Sequence, residues 1–299
     1  MSAAAERPRR VAATGLSALS PGGVGAGAYR AWLARPAQER GRGAAATGFD
    51  AAQVIGNPKR LRSMHRTFQL GVAATTLALQ AARLAPPDGL AAAAIAPERA
   101  GLAAAVPDVS PFTEDLLQAA AAAARPAGGG ELPLGAFAEL ALHQLHPFRR
   151  LAMLANMAAA HSSLVLGLQG PSFTFTSGGC AGAQTLHEAF WTLAEGRAEV
   201  MVCQAAESPE QCWRDPAADE LAGAVVLEDW ETAQRRGAPI LAELTAAPAA
   251  AMLRGAAGSP AASLLGAILA IAAAAGPEAP ARLSLAQALA PAWTREMPA

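Results

Sequence analysis

Lysine is almost absent. Lys59 stands alone, and arginine supplies nearly all the positive charge in the 299 residues. With 23 basic against 24 acidic side chains the net charge is −1, so no overall field favours nucleic acid or an anionic membrane surface as a partner. Cysteine is also scarce. Cys180, Cys203 and Cys212 are odd in number and lack metal-ligand spacing, which argues against a disulfide framework or a zinc site and for a reducing, cytoplasmic setting. Neither a metal nor an organic cofactor is expected. Aromatic residues make up 5% of the chain and hydrophobic residues 53%, much of the latter alanine, so the core must come from close contacts between small side chains. A long apolar run is missing too. The longest uncharged stretch, Gly255–Pro277, contains Pro260 and Ser263 and reads as a buried helix, not a membrane span. Arg7, Arg9 and Arg10 precede Val11–Ser20, but Gly15 and small polar residues interrupt that segment, which suits a first strand better than a signal peptide. The glycines at 22, 23, 25 and 27 lack the Lys-Ser/Thr ending of a phosphate loop.

The patterns that are present alternate between strand and helix. Val11–Leu19 reads as a strand, followed by a glycine loop over Pro21–Gly27, a helix from Ala28 to about Leu33, and loop over Gln38–Ala46. Leu61, Met64, Phe68, Val72, Thr75 and Leu79 recur at three- and four-residue steps and predict one long helix over Pro58–Leu84, stopped by Pro86 and Pro87. Strands are expected at Gly101–Val106, Ser172–Ser177, Val200–Gln204, Ala222–Glu228 and Pro239–Leu244. Helices are expected at Phe112–Arg125, Phe148–Leu166, Cys180–Glu195 and Asp229–Arg236, with a glycine-rich break at Pro126–Gly130. The alternation predicts an α/β domain. After Ala246 alanine, proline and glycine dominate and, beyond the buried helix of Gly255–Pro277, the pattern becomes hard to read.

Several of these segments, in order, resemble the N-terminal half of the β-ketoacyl-acyl-carrier-protein synthases of the thiolase-fold superfamily. They are VAATGLSALSPGG (Val11–Gly23), NPKRLRSMHRTFQLGVAATTLAL (Asn57–Leu79), NMAAAHSSLVLGLQGPSFTFTS (Asn156–Ser177), CAGAQTLHEAFWTLAEGRAEVMVCQAAES (Cys180–Ser208) and AGAVVLEDWETAQRRGAPILAEL (Ala222–Leu244). The resemblance implies a layered αβα fold of which this chain holds the N-terminal half, residues 10–248, followed by a short alanine- and proline-rich segment, 249–299. Within that segment ASLLGAILAIAAAAG (Ala262–Gly276) is faintly similar to a helix of the family's second half, which would make it a remnant; an unrelated alanine-rich helix fits the composition equally well.

The family's nucleophile is a cysteine at a sharp strand-to-helix turn, where a helix N-terminus lowers the thiol pKa and offers backbone N–H groups to an oxyanion. Here the string is GPSFTFTSGGCAGAQ (Gly170–Gln184). Counting forward from Gly170-Pro171 and backward from Gly182 both place the family's cysteine at Gly179. Cys180 comes one residue later, about 100° round the helix, and reads as a small packing residue. The resemblance also implies two histidines and a lysine in the second half, but no histidine or lysine follows Ala249. Of the five histidines, His161 resembles a non-catalytic family position, His65 and His187 fall on helices, and His143 and His146 lie in a variable region.

The resemblance is to a chain-length factor, a non-catalytic partner of an active ketosynthase in fatty-acid or polyketide biosynthesis. In that family the strand before the turn pairs across a two-fold interface, and each subunit shapes its partner's acyl tunnel. This makes Phe173, Thr174, Phe175, Thr176 and Ser177 interface residues, facing an active ketosynthase or a second copy. Lys59, Arg60, Arg62 and Arg66 form a basic patch where the family docks its acyl carrier protein. Two other readings stay open: an acyltransferase or ketosynthase-like enzyme using Cys180, and a decayed synthase without present activity.

Overall fold

The computed structural model describes residues 8–40, 42–56, 58–61, 64–85, 88–107, 114–124, 132–144, 154–209, 218–247, 259–275 and 280–293. The first half comprises β1 (Val11–Ser20), β2 (Gly23–Val24), α1 (Ala26–Leu33), α2 (Ala37–Arg40), α3 (Ala51–Ile55), α4 (Pro58–Leu61), α5 (Arg66–Ala81), α6 (Gly89–Ala92), β3 (Ala100–Ala105), α7 (Glu114–Ala124) and α8 (Leu134–Gln144). Then follow α9 (Met157–Leu166), β4 (Ser172–Phe175), α10 (Ala181–Ala194), β5 (Val200–Glu207), β6 (Leu221–Asp229), α11 (Trp230–Arg235), β7 (Ala242–Thr245), α12 (Pro260–Ala274), β8 (Ala281–Ser284) and α13 (Leu285–Trp293).

The strands form one mixed sheet in the order β4-β3-β5-β6-β1-β7-β8, with β2 attached to β1. Strands β3, β4 and β5 run parallel to one another, while β6 is antiparallel to both β5 and β1. The central strands are buried on both faces, so they read as near-continuous apolar runs. Along β5, Val200, Val202 and Ala206 face α5 and α9, whereas Met201, Cys203 and Ala205 face α10 and α12. The result is the mixed αβα layering implied by the sequence.

Small residues permit the tight layers. A side chain at Gly15 would place its Cβ 2.3 Å from the Ala78 carbonyl oxygen of α5. A buried polar cluster then fastens the α5 and α9 layer to the sheet: Thr75 and Ser162 donate to Gln204 Oε1 at 2.6 and 2.7 Å, and Gln204 Nε2 donates to the Ala158 carbonyl at 3.1 Å.

The long helix expected over Pro58–Leu84 is two helices. His65 is extended (φ −63°, ψ 160°) and starts α5, an arrangement that buries Met64. The helix also stops before the prolines, because Arg83 adopts φ 59° and Leu84 N–H closes onto the Leu79 carbonyl. Strand β4 is shorter than expected, leaving the sheet after Phe175. Gln38–Ala46, expected as loop, overlaps the short α2 at Gln38–Arg40. Helices α3 and α8 were not expected, although α3 has legible ends: Asp50 accepts from Ala52 N–H, and Gly56 is left-handed.

Residues 259–275 and 280–293 fold onto the same sheet. Helix α12 is apolar all round and accordingly lies in the core, with Leu264, Leu265, Ile268 and Ile271 fully buried against β1, β5, β6 and α10. Burial of each such side chain stabilises the fold by about 1.5–3 kcal/mol. Strand β8 pairs in parallel with β7, from Ala242↔Ala281 to Thr245↔Ser284. Among the described residues no helix is long and apolar enough to cross a membrane.

Candidate functional site

The carboxyl ends of the parallel strands β3, β4 and β5 meet at one end of the sheet, the usual location for ligands in open α/β folds. Beyond β4, Thr176 and Ser177 are exposed, Gly178 turns left-handed (φ 57°), and a single 3₁₀ turn, Gly178–Cys180, leads into α10. Gly179 is buried in that turn and is not among the residues with positive φ, so its backbone can carry a side chain. Cys180 is half-buried at the N-cap of α10 and its side chain caps nothing. Gly179 and Cys180 thus both lie in the strand-to-helix turn, with Cys180 at its last position.

A second helix N-terminus packs against this turn. Ser259 caps α12 by accepting from Ala262 N–H at 3.1 Å and donates to Glu207 Oε1 at 2.5 Å. Glu207, 3% exposed, ends β5, and beside it Ser208 shares a 2.8 Å hydrogen bond with Thr67 of α5. Gly182, in the first turn of α10, is where the two helices touch: a Cβ there would lie 2.2 Å from Ser263 Oγ and 2.5 Å from the Pro260 carbonyl oxygen. Ser259 was not singled out from sequence, but Ser-Pro before an apolar run is the signature of a helix start.

The described histidines stand away from the turn. His65 precedes α5 and His143 lies in the last turn of α8. His187, two turns into α10, accepts from Trp191 Nε1 at 3.1 Å. His161 is 7% exposed on α9, its ring centroid 5.6 Å from that of Phe68. Its Nε2 has no hydrogen-bond partner among the described residues, and burial pushes its imidazole below the ordinary 6.5. Because the folded state binds this proton less readily than the unfolded chain, the contribution to stability is complete above about pH 6.5 and is lost as pH falls toward the lower folded value. The urea midpoint is therefore expected to drop between about pH 7.5 and about pH 5.5, and His161→Phe should lessen that drop. Parallel declines in the two proteins would contradict the assignment. Cys203 is inert for a related reason: complete burial raises its thiol pKa, and the thiol donates to the Thr185 carbonyl at 3.4 Å.

The expected basic patch divides. Lys59 and Arg60 are exposed on α4, and Arg60 reaches the Leu164 carbonyl of α9 at 3.4 Å. Arg62 lies outside the described residues, as does Cys212. Arg66 turns the other way and makes two 2.7 Å hydrogen bonds to Glu220. Glu220 in turn accepts from Ala46 N–H, so Arg66 helps to hold the segment before α3.

Strand β4 is an edge of the sheet and pairs only with β3 among the described residues. Leu102 N–H bonds to the Pro171 carbonyl and Val106 N–H to that of Phe175. In a parallel ladder this alternation turns the peptide groups of residues 171, 173 and 175 toward β3 and those of Ser172 and Thr174 outward. Phe173 and Phe175 pack on the α10 face, and Ser172 and Thr174 lie on the α9 face.

The sequence model for the β-ketoacyl synthase N-terminal domain matches residues 33–214, more than half of the chain. Mitochondrial 3-oxoacyl-[acyl-carrier-protein] synthase of Arabidopsis thaliana is 32% identical over 136 residues, covering 36% of this chain and 30% of the plant protein. Nodulation protein E of Rhizobium leguminosarum bv. trifolii is 34% identical over 115 residues, covering 30% and 28%. The match thus spans under a third of either relative. Among solved structures, a chain of a type II polyketide synthase complex, an acyl-carrier protein with its ketosynthase bound to the hexaketide, superposes with a TM-score of 0.63 at 24% identity, covering 80% of this chain and 68% of that one. A β-ketoacyl synthase from Burkholderia phymatum gives 0.56 at 22% identity, covering 79% and 62%. The ishigamide ketosynthase/chain length factor gives 0.51 at 22%, covering 78% and 65%. These likenesses establish the fold.

Proposed function

Since the chain belongs to the family of the β-ketoacyl synthase N-terminal domain, we propose that it is a non-catalytic, chain-length-factor-type subunit that pairs with an active ketosynthase in fatty-acid or polyketide biosynthesis. One observation carries the reading: the buried residue of the strand-to-helix turn is Gly179, which has no thiol to form the acyl thioester. Cys180 lies at the N-cap, a helical step further round.

The state of β4 supports pairing. The two ends of the sheet differ: β8 carries Arg282 with its side chain 72% exposed, whereas β4 reads Ser-Phe-Thr-Phe without a charge. Charge protects an edge from unwanted pairing, and an uncharged edge invites a partner. Across β4 the subunit presents Phe173 and Phe175, on the α10 face, to the partner's acyl-binding space, and Lys59 and Arg60 offer positive charge to the acidic carrier protein. The test is product length. Co-expressed with an active ketosynthase, Phe173→Ala and Phe175→Ala are expected to lengthen the acyl product while the yield of condensation persists. Unchanged length in both variants would remove the chain-length role.

A further inference from the structure

Strands β1, β3, β4 and β5 finish at the same end of the sheet, since β1 and β5 both run antiparallel to β6 and β3 and β4 run parallel to β5. At that end Glu207 stands beside Leu221, and Leu19 beside Ala222. Residues 44–47 cross it. Ala44 N–H donates to Asp219 Oδ1 at 3.0 Å and Ala46 N–H to Glu220 Oε2 at 2.9 Å, while Glu220 N–H donates to the Ala44 carbonyl at 2.9 Å. Thr47 donates through its N–H to the Ser20 carbonyl and through its hydroxyl to that of Pro21, both at 3.2 Å. Gly43 and Gly48 bound the segment at φ 69° and 80°, a left-handed conformation that glycine adopts without strain. Between them only Ala46 is buried.

We infer that Ala44–Thr47 is a strap, shut in this structure, that opens between the two glycines, and that Glu220 is its latch. A single buried methyl group contributes little burial, so hydrogen bonds hold the strap, and a segment held in that way opens locally before the fold does. Glu220 is the junction of those bonds. Its side chain is 10% exposed, accepts from Ala46 N–H and takes two 2.7 Å bonds from Arg66. Asp219 grips only Ala44, beside the first hinge. A bond to a carboxylate is roughly twice as strong as one between neutral groups, so Glu220 outweighs either bond from Thr47. Arg66 stands in the first turn of α5, and its neighbour Thr67 is bonded to Ser208. The latch is therefore seated on the packed layer of helix and sheet, and the strap is the part that moves. Opening uncovers the sheet end over β1 and β6, next to Glu207 and Ser208. Open α/β folds receive ligands at such strand ends, so the strap gates this one.

The test is amide hydrogen exchange of the full chain, read by mass spectrometry, alongside urea unfolding. Glu220→Ala removes both the acceptor of Ala46 N–H and the partner of Arg66. It should speed exchange in residues 43–48 about tenfold or more, leave β1, β6 and α5 protected, and cost the urea midpoint little, since the open form is still folded. Arg66→Met leaves the carboxylate to Ala46 N–H and should give a smaller acceleration confined to the same residues. The double variant Arg66→Glu with Glu220→Arg restores opposite charges but offers Ala46 no acceptor, so its strap should exchange as fast as that of Glu220→Ala. If Glu220→Ala speeds exchange throughout the chain, or does not fold, the pair is a brace for the whole fold and the latch is wrong. Unchanged exchange of residues 43–48 in Glu220→Ala overturns it equally. A double variant as protected as the wild type would show that charge pairing alone holds the strap and would remove Glu220 as its acceptor.

Discussion

Gly179→Cys is expected to turn a chain that takes up no acyl group into one that accepts a single equivalent from an acyl thioester. The local structure that activates such a thiol is present. The turn opens the 14-residue helix α10, whose N-terminus places partial positive charge and unsatisfied N–H groups at residue 179. A cysteine in such a position titrates below the usual value of about 8.5 and is correspondingly more nucleophilic at neutral pH. The backbone of Gly179 does not require glycine, since its φ is not positive. Intact mass after incubation with an acyl thioester should show one acyl group on Gly179→Cys, and equally on the double variant that also carries Cys180→Ala. The wild type should remain unmodified. Acylation of the wild type on Cys180 would instead establish a displaced nucleophile and return the protein to the enzymes. Condensation with malonyl carrier protein is expected to stay absent even in Gly179→Cys, because none of the described histidines stands at the turn: His161 is packed on Phe68 and His187 is bonded to Trp191.

The register that singles out Gly179 was legible because it is local. Gly170-Pro171 and Gly182 bracket the turn, and counting inward from either gives the same residue. Strands β5 and β6 were legible for a different reason: burial on both faces makes them largely apolar runs. What remained hidden depends on partners far away in sequence. Arg66 read as surface charge because its partner, Glu220, is 154 residues away. The periodicity across Pro58–Leu84 stayed helical through the break at His65, since Met64 keeps its apolar spacing while the backbone leaves the helix to bury it. Beyond the buried helix read in Gly255–Pro277, the segment after Ala246 was hard to read because α12 is apolar all round and so lacks an amphipathic stripe. Strand β8 has only four residues, and its place in the sheet comes from β7, not from a pattern of its own.

Thr174→Pro is expected to abolish association through β4 while the subunit stays folded. The direction follows from the ladder. In the β3–β4 pairing the peptide groups of 171, 173 and 175 face β3, so the N–H of Thr174 points away from the sheet. Proline at 174 therefore removes no hydrogen bond within the subunit, and an edge strand tolerates it for that reason. Across the interface the same N–H would be one of a few ladder donors available in a four-residue strand. Its loss, together with the bulk of the ring, blocks close approach of a second strand along the whole segment. The companion variant is Phe173→Pro. Its N–H faces β3, so this substitution breaks the internal ladder and strips an aromatic side chain from the α10 face. It should lower the urea midpoint markedly, since interior proline and lost aromatic burial cost roughly 3 kcal/mol or more of stability. Sedimentation equilibrium and urea unfolding of the two variants should therefore separate cleanly, with Thr174→Pro monomeric and near wild-type in stability and Phe173→Pro destabilised. If Thr174→Pro still associates as the wild type does, β4 is not the pairing edge, and the partner must be sought on another face.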